Sequence, residues 1–433
     1  MHYSKSIQVA IGLYMILAIL LTLWLGGNAD GDTKILGIGA EFYLFAITLV
    51  GVALFHHHTL YVALTGLVTL LAMKLTYVTD FSLLHHLERE SMILLNLLGL
   101  LLGFAVLAKH FEESNVPELL PRFLPNDWRG GFALLVIIFI LSNFLDNIAA
   151  AMIGGTVALI VFKKRLDTGY LAGIVAASNA GGAGSVLGDT TTTMMWIDGV
   201  PALSLLPALA ASVPALCIFG VITSIKQQRF SPIVCDALDP KPTKWGRLAA
   251  VGMILVGAIL TNFLLDFPAA GVWGAILLAA IFVKTPWSEI PGALKGSLFL
   301  LSLVLCASMM PVEELPSASW QTAFVLGAVS AVFDNIPLTK LALDQGGYDW
   351  AFLAYAVGFG GSMVWFGSSA GVALSNMFPQ AKSVGAWVKH GWSVPLAYVV
   401  GFLIMLYTVG WNPHEPHRPE HQTSPAATAH VLE

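Results

Sequence analysis

The sequence predicts an all-α polytopic membrane protein: about eleven transmembrane helices plus two re-entrant hairpins, arranged as inverted-topology repeats. Three observations predict it. Of the 433 residues, 57% are hydrophobic and 11% charged, and mean hydropathy is +0.77; a soluble domain carries about 45–50% apolar and about 25% charged residues. Apolar runs of the roughly 20 residues that a membrane helix needs recur along the chain. Two polar motifs occur twice, in the same order, in halves of similar length. The composition excludes a soluble globular enzyme, a disordered chain and a coiled coil. A net charge of −5 leaves no electrostatic footprint for nucleic acid. Cys217, Cys235 and Cys306 suggest no disulfide framework.

Taken in order, the first run covers about residues 7–26, after Lys5. It is too long for the apolar part of a signal peptide and no A-x-A site follows, so residues 1–33 read as an N-terminal helix. The first repeat, residues 34–223, opens with helices at about 36–55, 60–79 and 92–108. His85 to Glu90 (HHLERE) reads as a polar interfacial stretch, and His56-His57-His58 and His85-His86 as interfacial residues rather than metal ligands. Residues 109–129 form a charged loop with a short surface helix. The apolar stretch 130–162 is interrupted by Ser142, Asn143, Asp146 and Asn147 and ends at Lys163-Lys164-Arg165. The run NAGGAGSVLGDTTTT, residues 179–193, breaks a helix expected over 168–197, and a helix at about 203–223 closes the repeat. A basic linker, 224–247, follows. The second repeat, 248–411, has helices at about 248–265, 269–283 and 294–310, a hairpin at 320–343, a broken helix at 350–375 and a last helix at 393–411. The Pro- and His-rich residues 412–433 read as a disordered tail.

The repeat is visible in the motifs. SAVFDNIPL (Ser330 to Leu338) echoes SNFLDNIAA (Ser142 to Ala150), so Asp334-Asn335 falls 188 residues after Asp146-Asn147. In GFGGSMVWFGSSAG, residues 358–371, Gly360-Gly361 and Gly367-Ser368-Ser369 echo Gly181-Gly182 and Gly188-Asp189-Thr190. Repeats with breaks at matching positions point to a binding site near the membrane midplane.

Charge bias decides how the interrupted segments cross. If 130–162 were one spanning helix, Lys163, Lys164 and Arg165 would lie outside, together with Lys226, Arg229, Lys241, Lys244 and Arg247, against the positive-inside rule. A re-entrant hairpin turning near Asp146 puts them inside. The same treatment of 320–343 leaves 16 of the 21 Lys and Arg cytoplasmic, the exceptions being Lys34, Lys74, Arg89, Lys340 and Arg418. The N-terminus is then cytoplasmic, the C-terminus outside, and the two hairpins enter from opposite faces.

A hairpin tip within the bilayer exposes backbone that only protein or a wet cavity can cover, so the two tips and the two glycine breaks should meet. Asp146, Asp189 and Asp334 lie in these elements, and a buried acid costs at least ~2.5–3.5 kcal/mol at a helix centre. Hard cations such as sodium take carboxylate, carbonyl and hydroxyl oxygens, which Asn143, Asn147, Asn179, Thr190, Thr191, Ser330, Asn335, Ser368 and Ser369 can add. A carboxylate can instead hold a proton. Burial favours its neutral form and a bound cation its charged form. A group that must choose between the two is the minimum an exchanger needs. Against this stand plainer readings. Asp and Asn are favoured N-caps, and the threonine run 190–193 can satisfy backbone carbonyls. The glycine stretch is not a nucleotide loop, because no Gly-Lys-Ser/Thr follows. Glu41 and Glu313-Glu314 read as solvated, and Lys340 as either a partner of Asp334 or a side chain reaching outward.

The stretches DNIAAAMIGGT, AASNAGGAGSVLGDTTTTMMWIDG, SAVFDNIPL and GGSMVWFGSSAGVA, with the final helix, resemble the NhaD-type sodium/proton antiporters over residues 90–411. The wider superfamily also holds arsenite, citrate and sodium-coupled dicarboxylate carriers. The resemblance implies a homodimer in the inner (plasma) membrane lipid, an elevator-like transport domain made of the hairpins and broken helices, and sodium or lithium efflux in exchange for protons, with no cofactor. It implies a site of Asp146, Asn147, Asn179, Asp189, Thr190 and Thr191 with Ser330, Asp334, Asn335, Ser368 and Ser369, sodium lying at Asp146, Asn147, Asp334 and Asn335. The chain departs from the pattern at the helix before the first hairpin, where Asn96 stands in place of an acid and Glu90 and His86 lie only at the start. The expected function is sodium/proton antiport, favoured by the absence of Arg from the four interrupted elements; the alternative is a sodium-coupled importer of a di- or tricarboxylate or bicarbonate. A purely structural membrane protein has no use for repeated polar breaks, and no constellation for an enzyme is visible.

Overall fold

The computed structural model describes residues 34–35, 38–55, 58–78, 81–234 and 242–414. The expected helix at 7–26, His56-His57, Cys235 and the tail from residue 415 lie outside the described residues. A two-residue antiparallel ribbon pairs Lys34–Ile35 with Ile38–Gly39. Everything after it is helical: α1 (Ala40–Leu54), α2 (Thr59–Tyr77), α3 (Leu83–Glu112), α4 (Trp128–Leu141), α5 (Asn147–Val161), α6 (Thr168–Gly182), α7 (Thr190–Ile197) and α8 (Leu209–Phe230). There follow α9 (Trp245–Leu265), α10 (Pro268–Phe282), α11 (Ile290–Ala307), α12 (Trp320–Ser330), α13 (Asn335–Gln345), α14 (Trp350–Leu353), α15 (Ser369–Met377), α16 (Val384–His390) and α17 (Ser393–Thr408). α14 runs on as a π-helix over Ala354–Phe359.

Among the described residues five helical stretches are long and apolar enough to cross a membrane: Thr59–Tyr77, Leu83–Glu112, Ala202–Phe230, Trp245–Leu265 and Trp287–Ala307. The bent pair Val384–His390 and Ser393–Thr408 makes a sixth if counted as one span. Ala40–Leu54, Trp128–Leu141, Asn147–Val161, Pro268–Phe282 and Trp350–Phe359 are apolar but shorter. The chain is thus a multi-pass helical membrane protein.

The expected breaks are where the motifs placed them. Residues 130–162 do not form one rod: the helix stops at Leu141 and restarts at Asn147, and in the second half it stops at Ser330 and restarts at Asn335. The restarts have a local cause. Asp146 Oδ1 accepts from the Ile148 N–H and Asp334 Oδ1 from the Ile336 N–H, both at 3.0 Å, an N-cap worth about 1 kcal/mol each. The plain capping reading of Asp-Asn is therefore correct as far as it goes.

Burial sorts the helices. Every residue of α6 from Gly169 to Gly182 is buried, as is the whole stretch 350–360. The interrupted helices are thereby wrapped in protein, which their free backbone groups require. On α9 and α10, by contrast, Phe263 is 86% exposed, Ile281 73% and Phe282 78%. Apolar faces that open are stable against lipid and not against water. α9 and α10 meet through Gly257 and Gly271, close enough that Thr261 Oγ1 accepts from the Gly271 N–H at 3.1 Å, the small-residue contact typical of membrane helices. α1, α2 and α11 share a separate core of Leu44, Phe45, Leu70, Met73 and Leu303.

Three sequence expectations are corrected. HHLERE does not lie between two helices but forms the first turns of α3, which begins at Leu83 and runs 30 residues; four of its six residues are exposed, while His86 and Glu90 are buried. Glu41 does not reach water; it is 8% exposed and pairs with Lys74 at 2.9 Å. Lys340 neither pairs with Asp334 nor reaches outward. It is 1% exposed and bridges Glu90 at 2.9 Å and Asp344 at 2.8 Å. In each case the partner is distant in sequence or on a neighbouring helix face, and a buried charge is held by an opposite one.

Candidate functional site

The two breaks are built alike. Ser142 Oγ donates to the Ser178 carbonyl at 2.5 Å, and its counterpart Ser330 Oγ to the Val357 carbonyl at 2.7 Å. A Cβ on Gly181 would run into the Phe139 carbonyl oxygen, and one on Gly360 into that of Gly327. Phe139 and Gly327 keep the 188-residue offset of the Asp-Asn motifs. Only glycine lets the arm before each turn lie so tightly against the following broken helix. The same backbone joint thus recurs in both halves.

Between the joints lies one polar network. Asn147 donates through Nδ2 to Asn179 Oδ1 and to Asp189 Oδ1, both at 3.0 Å. Asn335 Nδ2 donates to Asp189 Oδ2 at 3.2 Å. Asn179 Nδ2 donates to Ser362 Oγ at 2.9 Å and to Ser368 Oγ at 3.1 Å. Asp189, 1% exposed, therefore accepts from both halves of the chain. It also caps α7 through the Thr191 N–H at 3.5 Å and accepts from Thr190 Oγ1 at 3.3 Å. Asn147 is 2% exposed and its Oδ1 has no hydrogen-bond partner among the described residues. The helices α5, α7, α13 and α15 start at Asp146, Asp189, Asp334 and Ser368, so four positive helix ends serve one region.

Beside the network is a cavity of about 10 Å³ lined by Asp146, Asp189, Thr190 and Thr193 on one side and by Leu97, Leu100, Leu101 and Phe104 of α3 on the other. That is room for about one water-sized sphere. Its polar wall offers only oxygen, the donor set a hard cation takes. Ser369, the counterpart of Thr190, faces Asp334 as Thr190 faces the first half's cavity. Among the described residues no group of three or more His, Cys, Asp and Glu could hold a metal ion.

Of the twelve candidates, Asn147, Asn179, Asp189, Thr190, Asn335 and Ser368 are joined by side-chain hydrogen bonds. Asp146 lines the cavity, Asp334 and Ser369 face each other, Thr191 is buried at the start of α7, and Ser330 serves the joint. Asn143 is placed apart: its Nδ2 donates to the Phe139 carbonyl at 2.8 Å. Thr192 and Thr193 satisfy the carbonyls of Ser185 and Val186, at 2.6 and 2.8 Å. Two participants were missed. Ser362 is within the second glycine stretch, so its position carried a signal. Gly358, whose added Cβ would lie 3.0 Å from Asp189 Oδ2, opens that stretch and occupies the place of Asn179. Asn96, the departure noted in α3, is buried and its Oδ1 accepts from the Ala269 N–H at 3.0 Å, capping the start of α10.

A multi-pass helical protein whose interrupted helices bring repeated Asp-Asn pairs to one buried, oxygen-lined site is a membrane transporter in class. The chain belongs to the citrate transporter (CitMHS) family, whose profile matches residues 42–360. It is 26% identical over 409 residues to sodium/proton antiporter 1 of Arabidopsis thaliana, covering 82% of this chain and 68% of the relative. It is 27% identical to sodium/proton antiporter 2 of the same plant, covering 69% and 81%, and 26% identical to the Na(+)/H(+) antiporter NhaD of Halomonas elongata, covering 63% and 66%.

Proposed function

We propose that the protein is a sodium/proton antiporter that also accepts lithium. The observation that carries this reading is Asp189: a buried carboxylate held by Asn147 and Asn335, one from each half, beside an oxygen-lined cavity that also touches Asp146. Sodium is bound at Asp146, Asn147, Asp334 and Asn335, with Asp189, Thr190, Thr191, Asn179, Ser330, Ser368 and Ser369 completing or positioning the site. The aspartates release the cation when protonated and the proton when the cation returns, so each crossing carries one or the other. No further cofactor is needed.

In this reading α4–α5 and α12–α13 are re-entrant hairpins of two inverted repeats. With α6–α7 and α14–α15 they form a unit that moves elevator-fashion against α1–α3 and α9–α11 in a homodimer. The burial of the first set and the exposed apolar faces of the second support that division. About eleven helices cross the inner (plasma) membrane, with the N-terminus cytoplasmic and the C-terminus outside, as the distribution of Lys and Arg favours.

The test is collapse of a preset pH gradient in everted membrane vesicles on adding sodium or lithium chloride. Wild type collapses it, and Asp146→Asn and Asp334→Asn do not; an undiminished response in both variants refutes the reading. One observation favours a second reading, a sodium-coupled importer of a di- or tricarboxylate or bicarbonate: four helix N-termini face the site, and they suit an anion. Sodium-dependent uptake of radiolabelled citrate or bicarbonate, without proton exchange, would select it.

A further inference from the structure

A second and much larger space lies close to the site. It is an open cleft of about 1080 Å³. One wall is made by the ends of the half-helices that start at the site: Trp196 and Asp198 of α7 and its cap, and Lys340 and Asp344 of α13. The facing wall includes Glu90 of α3 and Phe263 of α9. Its charged lining is five carboxylates against Arg89 and Lys340, a balance that concentrates cations.

The cleft and the small cavity come within one residue of each other. Val186 lines the cleft; Leu187, the next residue, lines the cavity with Asp146 and Asp189. Both belong to the segment between α6 and α7, and they are 9% and 6% exposed. This segment is pinned from its own side. Thr193, itself on the cavity wall, donates Oγ1 to the Val186 carbonyl at 2.8 Å. Thr192 donates to the Ser185 carbonyl, and Ser185 to that of Asn143, both at 2.6 Å. In the second half the counterparts of Thr192 and Thr193 are Gly371 and Val372, which have no hydroxyl. The second half therefore lacks the two hydroxyls that pin this segment in the first.

We infer that the cleft is the cation's way between the site and the outer face and that Val186–Leu187 is the gate between them, with Thr193 the positioning residue that holds it closed. The inference rests on the transport reading and names its route. A cation leaves Asp146 and Asp189 for the cleft when this segment shifts, without any opening between the two halves.

The experiment uses the full chain with Cys217 and Cys235 changed to Ser and Cys306 to Ala, in sealed vesicles of either orientation. Single cysteines are placed by Val186→Cys, Leu187→Cys and, as a cleft control, Glu313→Cys, an exposed charged position of the cleft lining. A membrane-impermeant cationic thiol reagent is the probe. Val186→Cys reacts from the same single face as Glu313→Cys, and its modification stops gradient collapse. Leu187→Cys reacts more slowly, and sodium slows it further. Adding Thr193→Val speeds the Leu187→Cys reaction about five- to tenfold, as loss of one hydrogen bond of about 1–1.4 kcal/mol allows; Thr193→Ser, which keeps the hydroxyl, restores the original rate. A merely structural threonine would change yield or thermal stability in both variants and not this rate. The inference falls if Val186→Cys is inert from both faces while Glu313→Cys reacts, or if Thr193→Val leaves the Leu187→Cys rate unchanged. If the labelling pattern holds but neither sodium nor lithium protects Leu187→Cys, the gate stands and the choice of ion under the antiporter reading is what fails.

Discussion

Where the first half places Asp189 at the start of α7, the second places Ser368 at the start of α15; where the first has Asn179 in a regular helix, the second has Gly358 in a π-helical stretch. The joints behind these positions share two contacts, the serine on the turn to a carbonyl of the following helix and the glycine against a carbonyl of the preceding arm. Met152, one and a half turns into α5, corresponds to Lys340 in α13. A repeated frame thus carries unlike chemistry. The first half brings the central charge and lines the cavity beside it, and the second brings the hydroxyls of Ser362 and Ser368 and a buried cation of its own. A site with the same side chains in both halves would place a second carboxylate at 368, on the same Asn179-linked network as Asp189, and neighbouring like charges oppose each other's ionisation.

The largest effect is expected at the central charge. Asp189→Asn should abolish cation-driven gradient collapse in vesicles, whereas Ser368→Ala should lower it severalfold; equal losses would mean that the halves contribute alike. Next comes Lys340→Met, which copies the first half into the second. It removes the buried cation shared by Glu90 and Asp344, leaving Glu90 to the half-exposed Arg89 at 3.4 Å, and should cost about 3 kcal/mol, read as a fall in the thermal midpoint of detergent-purified protein. Adding Glu90→Gln should return most of it, and no recovery would show that the pair is not what Lys340 is for. Smaller still is Gly358→Ala. Its new methyl would sit 3.0 Å from Asp189 Oδ2, so the sodium concentration for half-maximal exchange should rise about tenfold, or about 1.4 kcal/mol, at unchanged thermal stability. The smallest effects should come from Ser142→Ala and Ser330→Ala. Each removes one buried hydrogen bond of about 1 kcal/mol, and the two midpoints should fall by similar amounts if the joints are equivalent.

The breaks were legible because their signals are local. Asp-Asn twice, glycine pairs twice and an acid or serine before each restart are caps and close approaches that a few neighbouring residues dictate. The convergence of Asn147, Asn179, Asp189 and Asn335 followed from the need to cover free backbone in lipid, although no spacing named the bonds. What stayed hidden depends on distant partners. Glu90 and Lys340 lie 250 residues apart, so the burial of Glu90 went unread and Lys340 looked like a neighbour of Asp334. Glu41 was read as wet because Lys74 belongs to the next helix. Asn96 looked like a lost acid until Ala269 gave its oxygen a donor. Gly358 opens the glycine stretch that the sequence displays, but its place opposite Asp189 depends on a residue 169 positions earlier.

The backbone contacts at Gly181 and Gly360 have a consequence for redesign. Because each turn is clamped to its broken helix through main-chain atoms, any side chain at these two glycines would pry the clamp apart, while the side chains at 179, 189, 358 and 368 take no part in these two contacts. Under the proposed function, selectivity can therefore be altered at four addresses without touching the clamp, provided that the residues at 189 and 368 still cap their helices.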